Sequence, residues 1–169
     1  MNDFIKRKQK LNYMEGREAE FFFRKWSGAE DAPKELERKH VDCVWNGYNV
    51  DVKGLKKSHI DGYVLVEFKA VDGRPGWGAT GSSADLIAFQ FPEGFYVVSR
   101  DDLYRLAQNK VIANPSVSRT WKPVVAASLA PSTGLYMLIQ RPQRKDLFTY
   151  IRKEDLLTLH YKLINEDTK

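Results

Sequence analysis

Cysteine is almost missing from this chain; Cys43 is the only one. An internal disulfide is therefore excluded, and the expected setting is a reducing one, most simply the cytoplasm. Histidine is scarce too: His40, His59 and His160 lie far apart, so a structural zinc centre is not expected. No apolar run approaches the roughly 20 residues that a membrane-spanning helix needs, so no membrane association is expected. The opening segment MNDFIKRKQKLNYMEG carries basic side chains with no apolar stretch after them and does not read as a secretory leader. There is no internal repeat and no low-complexity linker, so the expectation is one domain, with a core over about 13–110 and an elaboration over about 111–169. No Ser-His-Asp or Cys-His constellation can be assembled, which argues against covalent nucleophilic catalysis. The glycine-rich DGRPGWGATG does not end in Gly-Lys-Ser or Gly-Lys-Thr, so it is not a P-loop, and no nucleotide cofactor is expected.

What is present is positive charge and a regular alternation of elements. Lysines and arginines outnumber acids 27 to 22, giving a net charge of +5 that suits a polyanionic partner such as nucleic acid. Part of the surplus is clustered, at Lys6, Arg7, Lys8 and Lys10 and again at Lys53, Lys56 and Lys57. Residues 13–26 place Ala19, Phe22, Phe23 and Trp26 at helical spacing and predict an amphipathic first helix. Two alternating β-type runs then flank Asn46-Gly47, a strong hairpin signal. GYVLVEFKAV predicts a third strand continuing the meander, and ADLIAFQF and GFYVVSR two more. DDLYRLAQN predicts a helix opened by an aspartate cap, LYMLIQ and LFTYIR predict strands, and a closing helix is expected from about Lys153 to Ile164. This order is an α+β plan with a mixed central sheet flanked by helices.

The hairpin carries the chemistry. A two-residue Asn-Gly turn pairs Trp45 with Tyr48, Val44 with Asn49 and Cys43 with Val50; continued, it pairs Asp42 with Asp51, Val41 with Val52 and His40 with Lys53. One face is then apolar (Val41, Cys43, Val50, Val52), and the other holds His40, Asp42, Asp51 and Lys53. A slip of one residue would bury the carboxylates among the valines, so the pattern supports its own register. Opposed carboxylates repel unless a positive charge lies between them. Mg²⁺ answers that need with a few carboxylate oxygens, waters and phosphate oxygens. The competing reading is an aspartate pair that is simply solvated on an exposed sheet face.

Asp42, eight intervening residues, and Asp51-Val52-Lys53 resemble the signature of the PD-(D/E)XK nucleases. The hairpin with its Asn-Gly turn is similar to that of archaeal Holliday junction resolvases and related endonucleases, which also carry a glutamate four residues after a glycine on the first helix. Glu20, after Gly16, stands there. The resemblance covers roughly residues 13–98, and departs from the pattern in having no proline before Asp42 and an aspartate as the middle acid. It implies a restriction-endonuclease-like fold and Mg²⁺-dependent hydrolysis of DNA phosphodiesters by an endonuclease, with Mn²⁺ able to substitute, leaving 5′-phosphate and 3′-hydroxyl ends. It also implies roles: Asp42, Asp51 and the Val52 carbonyl as metal ligands, Lys53 orienting the attacking water, and Glu20 completing the shell. Lys56 and Lys57 would hold the DNA backbone, with Arg74 and Trp77 brought to DNA by the glycine-rich loop. Cutting both strands with one-site subunits makes a homodimer the expected assembly.

Other readings stay open on the sequence. Glu67-Phe68-Lys69 is a second acid-x-lysine on the predicted third strand, and Trp77 could pack on the core instead of meeting a base. Gln90 reads as an alternating strand residue, with a place facing the site as the alternative, and His40 is either a phosphate contact or a structural histidine. The alternative function is a nucleic-acid-binding module that has this fold without turnover.

Overall fold

The computed structural model describes residues 16–111, 118–119, 138–141 and 143–168. Lys6, Arg7, Lys8 and Lys10 lie outside them.

The first helix, α1, runs over 16–27. Its expected apolar stripe is its buried one: Ala19 and Phe23 are fully enclosed, with Phe22 and Trp26 packed beside them. They meet Cys43, Val50 and Val52 of the hairpin and Ala88, Phe95, Val97 and Ile164 beyond it. Phe23 sets its ring edge-on to Phe95 at 5.3 Å between centroids.

The hairpin strands are β2 (Cys43–Trp45) and β3 (Tyr48–Lys53), joined by Asn46 at φ 50° and Gly47 at φ 83°. Two successive positive φ values are what a type I′ turn demands, and glycine takes the second without steric cost. The pairs Cys43–Val50, Val44–Asn49 and Trp45–Tyr48 form as expected.

Beyond the hairpin the sheet is not a meander. The strand after β3 in sequence, β4 (Tyr63–Lys69), leaves the sheet entirely. The neighbour of β3 is β5 (Leu86–Phe91), running parallel to it with Val50 on Leu86, Asp51 on Ile87, Val52 on Ala88 and Lys53 on Phe89. β5 turns back into β6 (Gly94–Ser99), while a two-residue strand β1 (Glu30–Asp31) edges the sheet beside β2. The reason lies in β4's own pattern. Val64 and Val66 are fully buried in a cluster with Ile87, Phe89 and Phe91, so β4 covers the central sheet face to face. Its hydrogen bonds go to β9 (Leu147–Arg152) in a second sheet, ordered β4, β9, β8 (Ile139–Gln140) and β7 (Ser118–Arg119). The fold is α+β: a mixed six-stranded sheet with α1 on one face and a four-stranded sheet on the other.

Two further expectations are corrected. The closing helix is one turn, Lys153–Leu156, followed by strand β10 (Tyr161–Ile164). β6 offers a free edge, and β10 takes it, with Tyr161 on Val98 through Ile164 on Phe95. Two one-turn helices, α2 (Lys34–Glu37) and α3 (Lys57–Ile60), precede the central helix α4, which spans Arg100–Lys110 and is capped by Ser99, whose hydroxyl accepts from the Asp102 N–H; the aspartates fall in the first turn instead. Among the described residues no helix is long and apolar enough to cross a membrane.

Candidate active site

The hairpin ladder stops at Asp42. Cys43 pairs with Val50, yet the Asp42 N–H also donates to the Val50 carbonyl, at 2.9 Å, so two residues of one strand oppose one of the other, as in a β-bulge. The Asp42 carboxylate takes over the next ladder position: Oδ2 accepts the Val52 N–H at 2.7 Å. Val41 turns away, donates to the Leu36 carbonyl and buries itself in the core between the sheets. The expected pairs Val41–Val52 and His40–Lys53 therefore do not form, and Asp42 meets Asp51 through its carboxylate and not across a ladder rung. His40, exposed at φ 59° after a short helix (Lys34–Glu37), is a turn residue away from the polar face.

Asp51 and Lys53 share the β3 face that carries Ile87 and Phe89 on β5, the face turned to the second sheet. Asp51 is 3% exposed. The Lys53 ammonium lies 2.9 Å from Asp51 Oδ2, out of hydrogen-bonding alignment, so that buried oxygen has no hydrogen bond. The same ammonium stands 4.3 Å from the Trp77 ring centroid, a cation–π contact.

Asp42 is where the four expected catalytic residues meet. Burial first, then the charge of Asp51, push its pKa up to about 7; Glu20 pushes the same way, while the Val52 N–H and Lys53 oppose it. Glu20 on α1 is raised too, chiefly by burial, with Arg24 and Arg17 pulling it down and a side-chain hydrogen bond to Asp42. Asp42 and Asp51 thus share one lysine, and Glu20 joins them through Asp42. On the α1 side the cluster opens into a groove of about 710 Å³, lined by Glu20, Asp31, Glu37 and Asp42 against Arg17, Arg24 and Lys34. With four acids against three basic side chains the groove is nearly balanced, and a cation beside Asp42 would tip it toward accepting a phosphate.

No three His, Cys, Asp or Glu side chains among the described residues stand together as a ready-made metal shell. The donors suit a cation that takes few protein ligands. Burial and then the Asp51 charge raise the proton affinity of Asp42, and a buried Asp51 oxygen has no hydrogen bond. Mg²⁺ completes such a site with water and phosphate oxygens.

The residues expected to meet DNA fare unevenly. Lys56 lies near the cluster and senses both Lys53 and Asp51. Lys57 is exposed and paired with Asp61 at 2.7 Å; Arg74 is exposed and paired with Asp72 at 3.6 Å. Of the two readings open for Trp77 the structure has the core one: it is buried between the sheets, its backbone N–H on Glu67 Oε1, its ring beneath Lys53. The glycines around it serve close packing, since a Cβ at Gly78 would stand 2.6 Å from the Glu67 carbonyl oxygen. Glu67-Phe68-Lys69 braces this loop, through Glu67 on the Trp77 N–H and Lys69 bridged to Pro75. Gln90 sits on the opposite face of β5 from Ile87 and Phe89 and accepts the Leu55 N–H. Cys43 is inert, its thiol pushed up to about 12 by burial and the nearby Asp42 charge. Sequence reading missed Tyr150, which β9 brings beside Lys53 from the far side of the fold, and His59, buried with Nδ1 on the Gln90 carbonyl. The first had no local signal; the second stood in plain view as a histidine between lysines and an apolar strand.

Comparison with known proteins adds no relative: no protein-family model, characterised protein or solved structure matches the chain.

Proposed function

We propose that this protein is a Mg²⁺-dependent DNA endonuclease of the PD-(D/E)XK kind, working at Asp42, Asp51 and Lys53 with Glu20. The observation that carries the reading is the convergence on the Asp42 carboxylate of Asp51, Glu20 and Lys53, next to a buried Asp51 oxygen without a hydrogen bond. A dead scaffold has no reason to hold the Asp42 carboxylate against both Asp51 and Glu20 at a sheet edge. The mixed central sheet flanked by α1 agrees with the fold that the likeness implies, although β4 stands outside that sheet.

Asp42, Asp51 and the Val52 carbonyl would hold Mg²⁺, or Mn²⁺ in its place. When bound, the cation supplies Lewis acidity to the phosphate and to the attacking water. Asp42 is fixed by the Val52 N–H, so one of its oxygens is aimed before any ligand arrives. Lys53 is held between Asp51 and the Trp77 ring, where it can donate to a phosphate oxygen and orient the water. Glu20 closes the cluster from α1, and its shared hydrogen bond with Asp42 gives a released proton a place to go. DNA enters along the groove, with Lys57 and Arg74 as exposed charges able to exchange their present carboxylate partners for backbone phosphates. A homodimer would cut both strands, and a single buried cysteine suits the cytoplasm.

The deciding experiment is cleavage of labelled duplex, branched and single-stranded DNA with Mg²⁺ or Mn²⁺, wild type beside Asp51→Ala and Lys53→Ala. Cleavage by the wild type alone, with DNA binding retained in both variants, is the expected result. Absence of cleavage, together with no Mn²⁺ stabilisation that Asp42→Ala abolishes, leaves the binding-module function in its place.

A further inference from the structure

Lys53 has a second side. Away from Asp51 it lines a small cavity of about 70 Å³ between the two sheets, together with Lys56, Ser58, His59, Trp77 and Tyr150. By the volume of a liquid water, about 30 Å³, that is room for a couple of waters or one tetrahedral oxyanion, and too little for a base or sugar.

The charge in this cavity is unbalanced. Lys53 has Asp51, but the Lys56 ammonium makes no ion pair or hydrogen bond among the described residues; the residue is exposed by surface area, yet partial desolvation and then the Lys53 charge lower its pKa. His59 adds no charge: burial pushes it down to about 4, so it is neutral, with Nδ1–H donating to the Gln90 carbonyl. No carboxylate is among the lining residues, whereas Ser58 and Tyr150 bring hydroxyl groups to it. Two lysines line this half-open cavity, the exposed Lys56 without a carboxylate partner among the described residues, and such a pair suits an anion.

We infer that this cavity is a phosphate-binding pocket, filled by a phosphate group of the nucleic acid next to the bond being cut. Its small volume favours a terminal phosphate monoester, which brings one flanking sugar where an inner diester brings two. The pocket's role in cleavage rests on the nuclease reading; the pocket itself does not. Since Lys53 belongs to both places, a phosphate in the pocket would fix how far the reacting phosphate lies from the strand end.

The test is binding without metal, on the full chain, by calorimetry: inorganic phosphate first, then a short single-stranded oligonucleotide with a 5′-phosphate, a 3′-phosphate or hydroxyl ends. The wild type should bind phosphate and prefer one phosphorylated end. Lys56→Gln should weaken that binding by roughly tenfold or more, the loss of one charge-assisted hydrogen bond. Lys56→Arg should retain most of it, and Arg105→Gln, an exposed charge on α4, should change nothing. Equal affinity for all three oligonucleotides with the same Lys56→Gln loss assigns the pocket to an inner phosphate. Failure of the wild type to bind phosphate, or a Lys56→Gln variant of native melting temperature that binds it undiminished, overturns the pocket. Cleavage that depends on Asp51 would survive that result, and phosphate binding would survive a failure of cleavage.

Discussion

The two faces of β3 are built from alternate residues of one six-residue strand, and they obey different rules. Val50 and Val52 look toward α1 into a packed apolar layer with Phe23 and Phe95, where the stabilisation is removal of hydrocarbon from water. Asp51 and Lys53 look the other way, also out of water, yet into a space where charges are only partly answered. The first face stabilises the fold; the second spends part of that stability on holding carboxylates together. An apolar face alone would make the hairpin a scaffold, and the contrast between the faces is what makes it a candidate site.

The largest expected effect breaks the first face. Phe23→Ala removes a fully buried ring that contacts Trp45 and Phe95, and should cost about 3–5 kcal/mol in a denaturant titration. That loss should show in stability, and under the nuclease reading cleavage per folded molecule should stay close to wild type. An equally large fall in cleavage by the folded fraction would mean that the two faces are not separable.

How much of this contrast could be read beforehand follows from its range in sequence. The helix stripe Ala19, Phe23 and the Asn46-Gly47 turn are local patterns, and both stand where the sequence puts them. The four candidate catalytic residues follow from that hairpin and from one glycine-to-glutamate spacing on α1. The bulge at Asp42 was not legible, because it depends on Val41 finding a better burial site between the sheets. Nor was the departure of β4: Val64 and Val66 fit a pairing strand or a covering one equally well, and only the position of Ile87, Phe89 and Phe91 decides between them. Trp77 and Tyr150 reach Lys53 from loops and strands distant in sequence, so no spacing could have placed them.

A smaller effect tests the second face at its support. Trp77→Ala takes away the ring beneath the Lys53 ammonium, a contact of about 1–2 kcal/mol when partly desolvated. Under the nuclease reading, kcat should fall by roughly tenfold, with DNA affinity little changed, and Trp77→Phe should restore most of it. Equal losses in Trp77→Ala and Trp77→Phe would make the residue a core filler only.

The smallest effect is the most diagnostic of unanswered charge. Asp42 is raised from its ordinary value to about 7, so the folded protein holds a proton there that the unfolded chain releases nearer pH 4. The folded state binds more protons between those values, so its stability falls as pH rises through that window. Asp42→Asn keeps an oxygen for the Val52 N–H and removes the charge that Asp51 and Glu20 oppose. At pH 5 the variant should match the wild type. At pH 8 it should be the more stable by on the order of 1 kcal/mol, after allowance for the solvent that reaches this half-buried carboxylate. Mn²⁺ should raise the wild-type melting temperature at pH 8 and leave the variant almost unmoved, because the cation and the substitution remove the same repulsion. A wild type equally stable at both pH values would show that Asp42 ionises freely, and the two faces of β3 would then differ in polarity without differing in energy.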